Sequence, residues 1–324
     1  MLSFISRRLL ISIPTLIIIS LVIFLLLNLA PNDPMAQVPL TVPPEVKQKM
    51  REALGLGQPL YVQFLKWLIQ LFWIEPQVFI DYMFNTSFSE DKLRVISWQT
   101  RSPVMDIIVQ RMPQTLWVVG MSYVVGILIA IPIGIYSAYK QYSVFDQVGT
   151  FVTMIGYSVP PFFTGVFVIV IFSVQLGWLP SIYDTTHSVV DWETFKVQLK
   201  QMVMPVMVLA LQTTAMINRF MRATMLDNLN QDYVRTARAK GLSEWTVVMI
   251  HVLRNSMIPV ITVIALNVPA IFGGAIITEQ VFKVNGIGQQ LIGAIYANDL
   301  PTCLLYTSDA ADEGLGVDLG GRRI

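Results

Sequence analysis

Apolar stretches of about 20 residues recur along this chain, and they constrain its fold more than any other feature. Each has the length at which an α-helix, rising about 1.5 Å per residue, crosses the hydrocarbon core of a bilayer. Five stand out, at about 9–30, 114–138, 148–172, 203–219 and 257–278. The composition agrees, with 54% of the 324 residues hydrophobic and only 13% charged, where soluble domains carry about 25% charge. The expected fold class is all-α: a polytopic membrane helix bundle.

The N-terminal stretch from Leu9 to Leu29, interrupted by a few small polar residues and Pro14, exceeds the roughly 7–15 apolar residues of a cleavable signal. It reads as a retained first span over 1–30, with Arg7 and Arg8 holding the N-terminus in the cytoplasm. Residues 31–111 form a long extracytoplasmic insert, whose Val46, Met50, Ala53 and Leu54 recur at helical spacing. The short loops report orientation. Residues 139–147 carry Lys140, and residues 219–254 carry Arg219, Arg222, Arg235, Arg238, Lys240 and Arg254 against Asp227, Asp232 and Glu244. On the opposite side, 173–202 sets Lys196 and Lys200 against Asp184, Asp191 and Glu193. Cationic excess marks the cytoplasmic face. Residues 112–301 then make the core membrane domain, with a cytoplasmic loop at 220–256. From about residue 302 the composition turns abruptly to Asp, Gly and small residues, and 302–324 is expected to be a non-native or truncated tail in place of a sixth span.

Several function classes are weakened by what the chain lacks. A net charge of +1 makes no case for nucleic acid. Cys303 is the single cysteine, and His187 and His251 stand far apart, so neither a disulfide within the chain nor a metal cluster is expected. No G-x-x-x-x-G-K-[ST] phosphate loop, nucleophile elbow or H-E-x-x-H helix occurs, so ATP hydrolysis and other enzyme chemistry are not expected here. A carrier driven by protons needs ionisable groups at membrane depth. The span interiors hold no Asp, Glu, Lys or His; the amides Asn28, Gln212 and Asn218 lie near span ends, with Glu279 and Arg219 at boundaries. An ion-coupled secondary transporter is therefore the alternative rather than the first reading.

The loop "DYVRTARAKGLSEWTVVMIHVLRN" at 232–255 has its own pattern. Leu226, Leu229, Tyr233 and Ala237 share one helical face while Arg235 and Arg238 point away from it. Gly241 suits a helix C′ position, Ser243 an N-cap with Glu244 in the next first turn, and Trp245, Val248, Met249 and Val252 a second apolar face. The expectation is two short helices meeting at a bend and protruding from the membrane. The cations alone would suit a headgroup anchor; small Ala237, Ala239 and Gly241 suit close approach of another protein instead. Pro160 and Pro161 read as a kink in the third span, and Gly273, Gly274 and Pro269 as helix-packing or kink residues in the fifth.

This loop strongly resembles the cytoplasmic signature of bacterial ABC-importer permeases, in the dipeptide and oligopeptide branch that also includes nickel and glutathione importers. The general family motif is Glu-Ala-Ala, three residues, then Gly. Arg235-Thr236-Ala237 occupies the triplet and Gly241 the glycine; the absent Glu is usual in that branch. "LAPNDP" at 29–34, "RMPQTLWVVGMSYVVGILIAIPIGIYSAYKQYSVFDQ" at 111–147, "SVPPFFTGVFVIVIFSVQLGWLP" at 158–180 and "FKVNGIGQQLIGAIYANDLP" at 282–301 resemble it in order, with Asn285 where Pro is commoner. The resemblance implies half of a translocation pathway for di- or oligopeptides in a bacterial inner membrane, set in lipid. It implies a second homologous permease subunit, two cytoplasmic ATPases that hold ATP and Mg, and an extracytoplasmic substrate-binding protein. It also implies that Tyr233, Arg235, Thr236, Ala237, Arg238, Ala239, Lys240, Gly241, Leu242 and Glu244 dock an ATPase.

Overall fold

The computed structural model describes residues 2–29, 43–45, 48, 57–84, 89, 92, 94–187, 189–297, 299 and 301–304. Its helices are α1 (Leu2–Leu29), α2 (60–84), α3 (Val104–Tyr139), α4 (Val144–Ser158), α5 (Pro161–Gln175), α6 (Trp192–Leu229), α7 (Asp232–Ala239), α8 (Glu244–Gly273), α9 (Ile276–Phe282) and α10 (Ile287–Tyr296). The described residues contain no strand, only an isolated antiparallel bridge between Ile96 and Pro103. The all-α membrane architecture is thus observed. α3, α6 and α8 are each long and apolar enough to cross a bilayer, and α4 with α5 would make a fourth crossing. α1 contributes a shorter apolar segment, Ile13–Leu26. The helical stretch expected from Val46 to Leu54 lies outside the described residues, as does everything beyond Leu304.

The chain divides into two compact units, one of residues 1–110 with 290–324 and the other of residues 111–289. In the first, Phe24, Phe64, Trp67, Val95, Val104 and Leu304 form the core. Phe24 tilts against Phe64 at 5.3 Å between ring centroids. Arg94 forks between two carboxylates, Glu75 at 2.9 Å and Asp106 at 2.8 Å. Asp299, fully buried, accepts from the Ser97 hydroxyl, the Trp98 amide at 3.0 Å and the Thr302 hydroxyl at 2.8 Å. Packing therefore continues past the compositional break at 302, through buried Thr302, Cys303 and Leu304.

The second unit is organised by one contact. On α3, Ser122, Gly126, Ala130, Gly134 and Ala138 recur at every fourth residue and are all buried. A helix places residues four apart on one face, so this is a continuous small-residue groove. α6 lies in it with Ala210, Thr214, Ile217, Met221 and Met225, again three and four apart and buried. A Cβ on Gly126 would stand 2.7 Å from the Thr213 side chain, and one on Gly134 2.7 Å from Met221. Lipid-embedded helices gain little from apolar burial alone and associate by such close approach.

Three expected spans change shape. The stretch 148–172 is not one kinked helix: Val159 and Pro160 are extended, Pro161 opens a new helix, and the halves meet at 105°. Proline lacks the donor to continue a helix and disfavours helical geometry in the residue before it. The stretch 203–219 is only the apolar middle of α6, whose 38 residues begin at a capping box of Asp191 and Thr194. At about 1.5 Å per residue α6 exceeds a hydrocarbon core of about 30 Å. The last span runs Glu244–Gly273 rather than 257–278, so Pro259 lies inside it. Nothing approaches Gly273, while Gly274 takes φ +77° and would clash with the Gly288 backbone if it bore a Cβ. Gly274 therefore ends α8.

Two outcomes are expected. Gly134→Val should destabilise the second unit by roughly 1–3 kcal/mol through overpacking, read as a lower melting temperature in detergent; an unchanged melt would refute the α3–α6 contact. Cys303 is 5% exposed, and burial, aided by the Asp299 charge, pushes its thiol up to about 11. Because the thiolate is the reactive form, maleimide labelling at neutral pH should be over about a hundredfold slower than in SDS.

Candidate functional site at the α6–α8 loop and the polar face of α6

After α6 ends at Leu229, Asn230 and Gln231 turn the chain into α7. Val234 and Ala237 of α7 are buried, as are Val247, Val248 and Val252 in the first turns of α8, and all pack with Met221 and Met225 of α6. Leu226 and Leu229 lie against the same core. The loop is therefore not two short protruding helices. It is one short helix clamped onto α6, followed by the start of a helix that runs unbroken into a span.

The bend has the geometry its residue types suggest. Gly241 takes φ +79° with open space where a Cβ would sit, a region L side chains avoid at roughly 1–2 kcal/mol. Ser243 caps α8 by accepting from the Thr246 amide. Arg238 reaches across the bend to Glu244 at 2.8 Å, and Arg235 lies 3.4 Å from Asp232. The Thr236 hydroxyl donates to the Asp232 carbonyl and the Tyr233 hydroxyl to Asn228 Oδ1. Of the expected surface residues, Tyr233, Arg235, Thr236, Arg238, Ala239, Lys240, Gly241, Leu242 and Glu244 are exposed. Ala237 is not, because it belongs to the inner core. Trp245, expected to face inward, is 74% exposed and joins Leu242 on the outer surface. Its spacing puts it on the same ideal face as Val248 and Val252, but it sits in the first turn of α8, ahead of the buried Val247, Val248 and Val252.

Beside its α3 contact, α6 carries a polar strip. One cavity of about 330 Å³ is lined by Thr150, Thr153, Met154, Tyr157 and Ser158 of α4 and by Ala215, Asn218, Arg219, Arg222 and Ala223 of α6. A second, of about 260 Å³, shares Tyr157 and adds Tyr123, Gln212, Thr213 and Asn267 among its walls. At the edge of the first cavity Arg222 pairs with buried Asp146, Nε to Oδ1 at 2.6 Å and Nη2 to Oδ2 at 2.8 Å. These wall residues were missed as a site. The signal was present: Gln212, Met216, Arg219 and Ala223 recur at helical spacing on an otherwise apolar helix.

Glu279 was expected at a span boundary; it is fully enclosed. Its carboxylate accepts from the Thr115 hydroxyl at 3.1 Å, the Ala275 amide at 3.3 Å and the Gln289 amide at 3.0 Å. Desolvation pushes its pKa above the ordinary carboxylate value against these bonds. Thr115 also accepts from the Ile287 amide at 2.8 Å. Gly286 and Gly288 admit this ring of donors, since a Cβ on either would stand within 3.0 Å of Glu279. The carboxylate is a structural tie between the segment after α8 and α3.

Long apolar helices, a broken span and a polar groove along the longest helix define an integral membrane protein of the transport class. The chain belongs to the family described as "Binding-protein-dependent transport system inner membrane component", matched over residues 130–308, with the N-terminal component of the same systems matched over residues 1–119. It is 35% identical over 315 residues to the oligopeptide transport system permease protein AppB of Bacillus subtilis, covering 95% of this chain and 92% of that one. It is 35% identical over 305 residues to the glutathione transport system permease protein GsiC of Escherichia coli (strain K12), covering 93% and 89%. A putative peptide transport system permease protein of Brucella suis is 33% identical over 304 residues, covering 93% and 89%. The chain is thus an ABC-importer permease rather than an ion-coupled secondary carrier.

The buried pair supplies a check. Arg222→Gln leaves the Asp146 carboxylate, 2% exposed, without its counter-charge, and should cost roughly 3–5 kcal/mol. Asp146→Asn combined with Arg222→Gln should recover much of that loss in a detergent melt. Equal melts for the single and double variants would refute the coupling.

Proposed function

We propose that this chain is one permease subunit of an ATP-driven importer of short peptides or glutathione-like peptides in a bacterial inner membrane, with its α6–α8 loop in the cytoplasm. The observation that carries this reading is the loop itself: a basic, exposed bend clamped to α6 and continuous with a membrane helix, in a chain of the binding-protein-dependent family. A second permease subunit would complete the pathway. Two ATPases would hold ATP and Mg, and an extracytoplasmic binding protein would deliver the cargo. The relatives' names support the peptide class, since one is an oligopeptide and another a glutathione permease.

The mechanics follow from continuity. Exposed Leu242 and Trp245, beside Lys240 and the Arg238–Glu244 pair, offer an ATPase an apolar anchor ringed by charge. Closure of two ATPases on nucleotide would displace that bend. The helix is continuous from Glu244 to Gly273, so displacement of the bend would pass along α8. The clamp of Val234 and Ala237 on α6 would carry α6 with it.

Gly241→Asp should abolish ATP-driven uptake in vesicles while leaving membrane insertion intact, and Trp245→Ala should weaken co-purification of the ATPases at least about tenfold. The second figure is the loss of one interface anchor of roughly 1.5–3 kcal/mol. Full uptake by Gly241→Asp, with ATPases still bound, would remove the docking reading.

A further inference from the structure

Two residues on the cavity wall of α6 carry polar groups that the fold leaves unmatched. Arg219 is exposed, and among the described residues no carboxylate lies within ion-pair distance of it; its guanidinium stands 5.1 Å from the centroid of the Tyr157 ring. Its neighbour Asn218 lines the same cavity, is 2% exposed, and has an Oδ1 with no hydrogen-bond partner. An enclosed amide oxygen without a donor is costly, roughly 1–3 kcal/mol. Arg222, one turn further on, is by contrast committed to Asp146. A free cation and an unpaired acceptor thus adjoin on one wall, facing the hydroxyls of Thr150, Thr153 and Ser158 and the thioether of Met154 across the cavity.

We propose that Tyr157, Asn218 and Arg219 form a transit subsite for a peptide bearing a free carboxylate. This rests on the import reading above and names the chemistry of the cargo inside the permease. Arg219 takes the carboxylate with its planar fork of donors, held over Tyr157 so that the guanidinium is oriented before the cargo arrives. Asn218 Oδ1 accepts a peptide N–H, and Met154 offers an adaptable apolar contact to a side chain. One unpaired cation matches a singly charged carboxylate. The half-open wall suits passage, because a pathway must bind its cargo weakly enough to release it.

The test uses the complete transporter, with its partner permease, ATPases and binding protein, in vesicles. The probes are a library of di- to pentapeptides and the same library amidated at the C-terminus, each at saturating binding protein. The wild type should import the free acids faster than the amides. Arg219→Gln should lower the acid-to-amide ratio about tenfold, the weight of one charge-assisted hydrogen bond, and Arg219→Lys should restore part of it. A photo-cross-linker at Met154 should label the free-acid library during ATP turnover, with less labelling when Arg219→Gln is added. Equal losses for acids and amides, no change in the ratio, or absence of the cross-link would overturn the subsite while leaving peptide import standing. A ratio that depends on anionic lipid in the vesicles would assign Arg219 to a headgroup and overturn it too. Import of neither library by the wild type would bring down the peptide reading together with the subsite.

Discussion

The close approach of α3 and α6 is the contact on which the second unit depends. Burying apolar area between two helices gains little in lipid, because the surrounding acyl chains are as apolar as the side chains. Stabilisation has to come from surfaces that fit. The row from Ser122 to Ala138 removes side-chain bulk at every fourth position, and α6 fills it with Ile217, Met221 and Met225. Thr214 adds a hydroxyl bond to the Gly126 carbonyl at 3.3 Å, possible only because the backbones lie so close. With that face of α6 committed, the rest of its surface is free to be polar. Gln212, Asn218 and Arg219 can then line a cavity without loosening the helix pair.

The same pairing rigidifies the loop. Met221 and Met225 sit in one core with Val234, Ala237, Val247 and Val252. The bend at Gly241 is therefore not a flexible connection between two spans. It is the outer surface of a packed cluster whose inner surface is the end of the α3–α6 contact. Ser256 reinforces the joint by donating to the Thr224 carbonyl of α6 at 3.1 Å. A force on the bend has few soft degrees of freedom to dissipate into.

The apolar runs were legible because each needs only length and composition, and the caps at Gly241 and Ser243 because their chemistry is local. The broken span shows where such reading stops. Pro160–Pro161 announces an interruption, but a 105° turn rather than a shallow kink depends on what each half packs against. α6 was underestimated for a related reason: an apolar count sees its middle, not ends carrying Gln198, Gln201 and Met225 that are buried by neighbours. Trp245 failed differently. Large aromatic side chains on an amphipathic stretch are expected inside, and only the packing shows that the core begins at Val247 and Val248 and leaves the preceding turn exposed. The cavity wall left a periodic polar signal on α6, yet the partner helix α4 could not be paired with it from one chain.

Polar groups in the second unit fall into matched and unmatched sets. Asp146 with Arg222, and Glu279 with Thr115 and its backbone donors, are enclosed and matched, as low surroundings of dielectric demand. Each ties an end of one span to another helix: Asp146 joins the head of α4 to α6, and Glu279 joins the segment beyond α8 to α3. Both therefore act where helices must keep their spacing. Between these ties lie Gln212, Asn218 and Arg219, whose hydrogen-bonding capacity the fold leaves unspent. Arg111, Gln114 and Ser137 also keep unpaired polar atoms in this unit. What sets Asn218 and Arg219 apart is that an unpaired acceptor and a cation without a carboxylate partner stand side by side on a cavity wall.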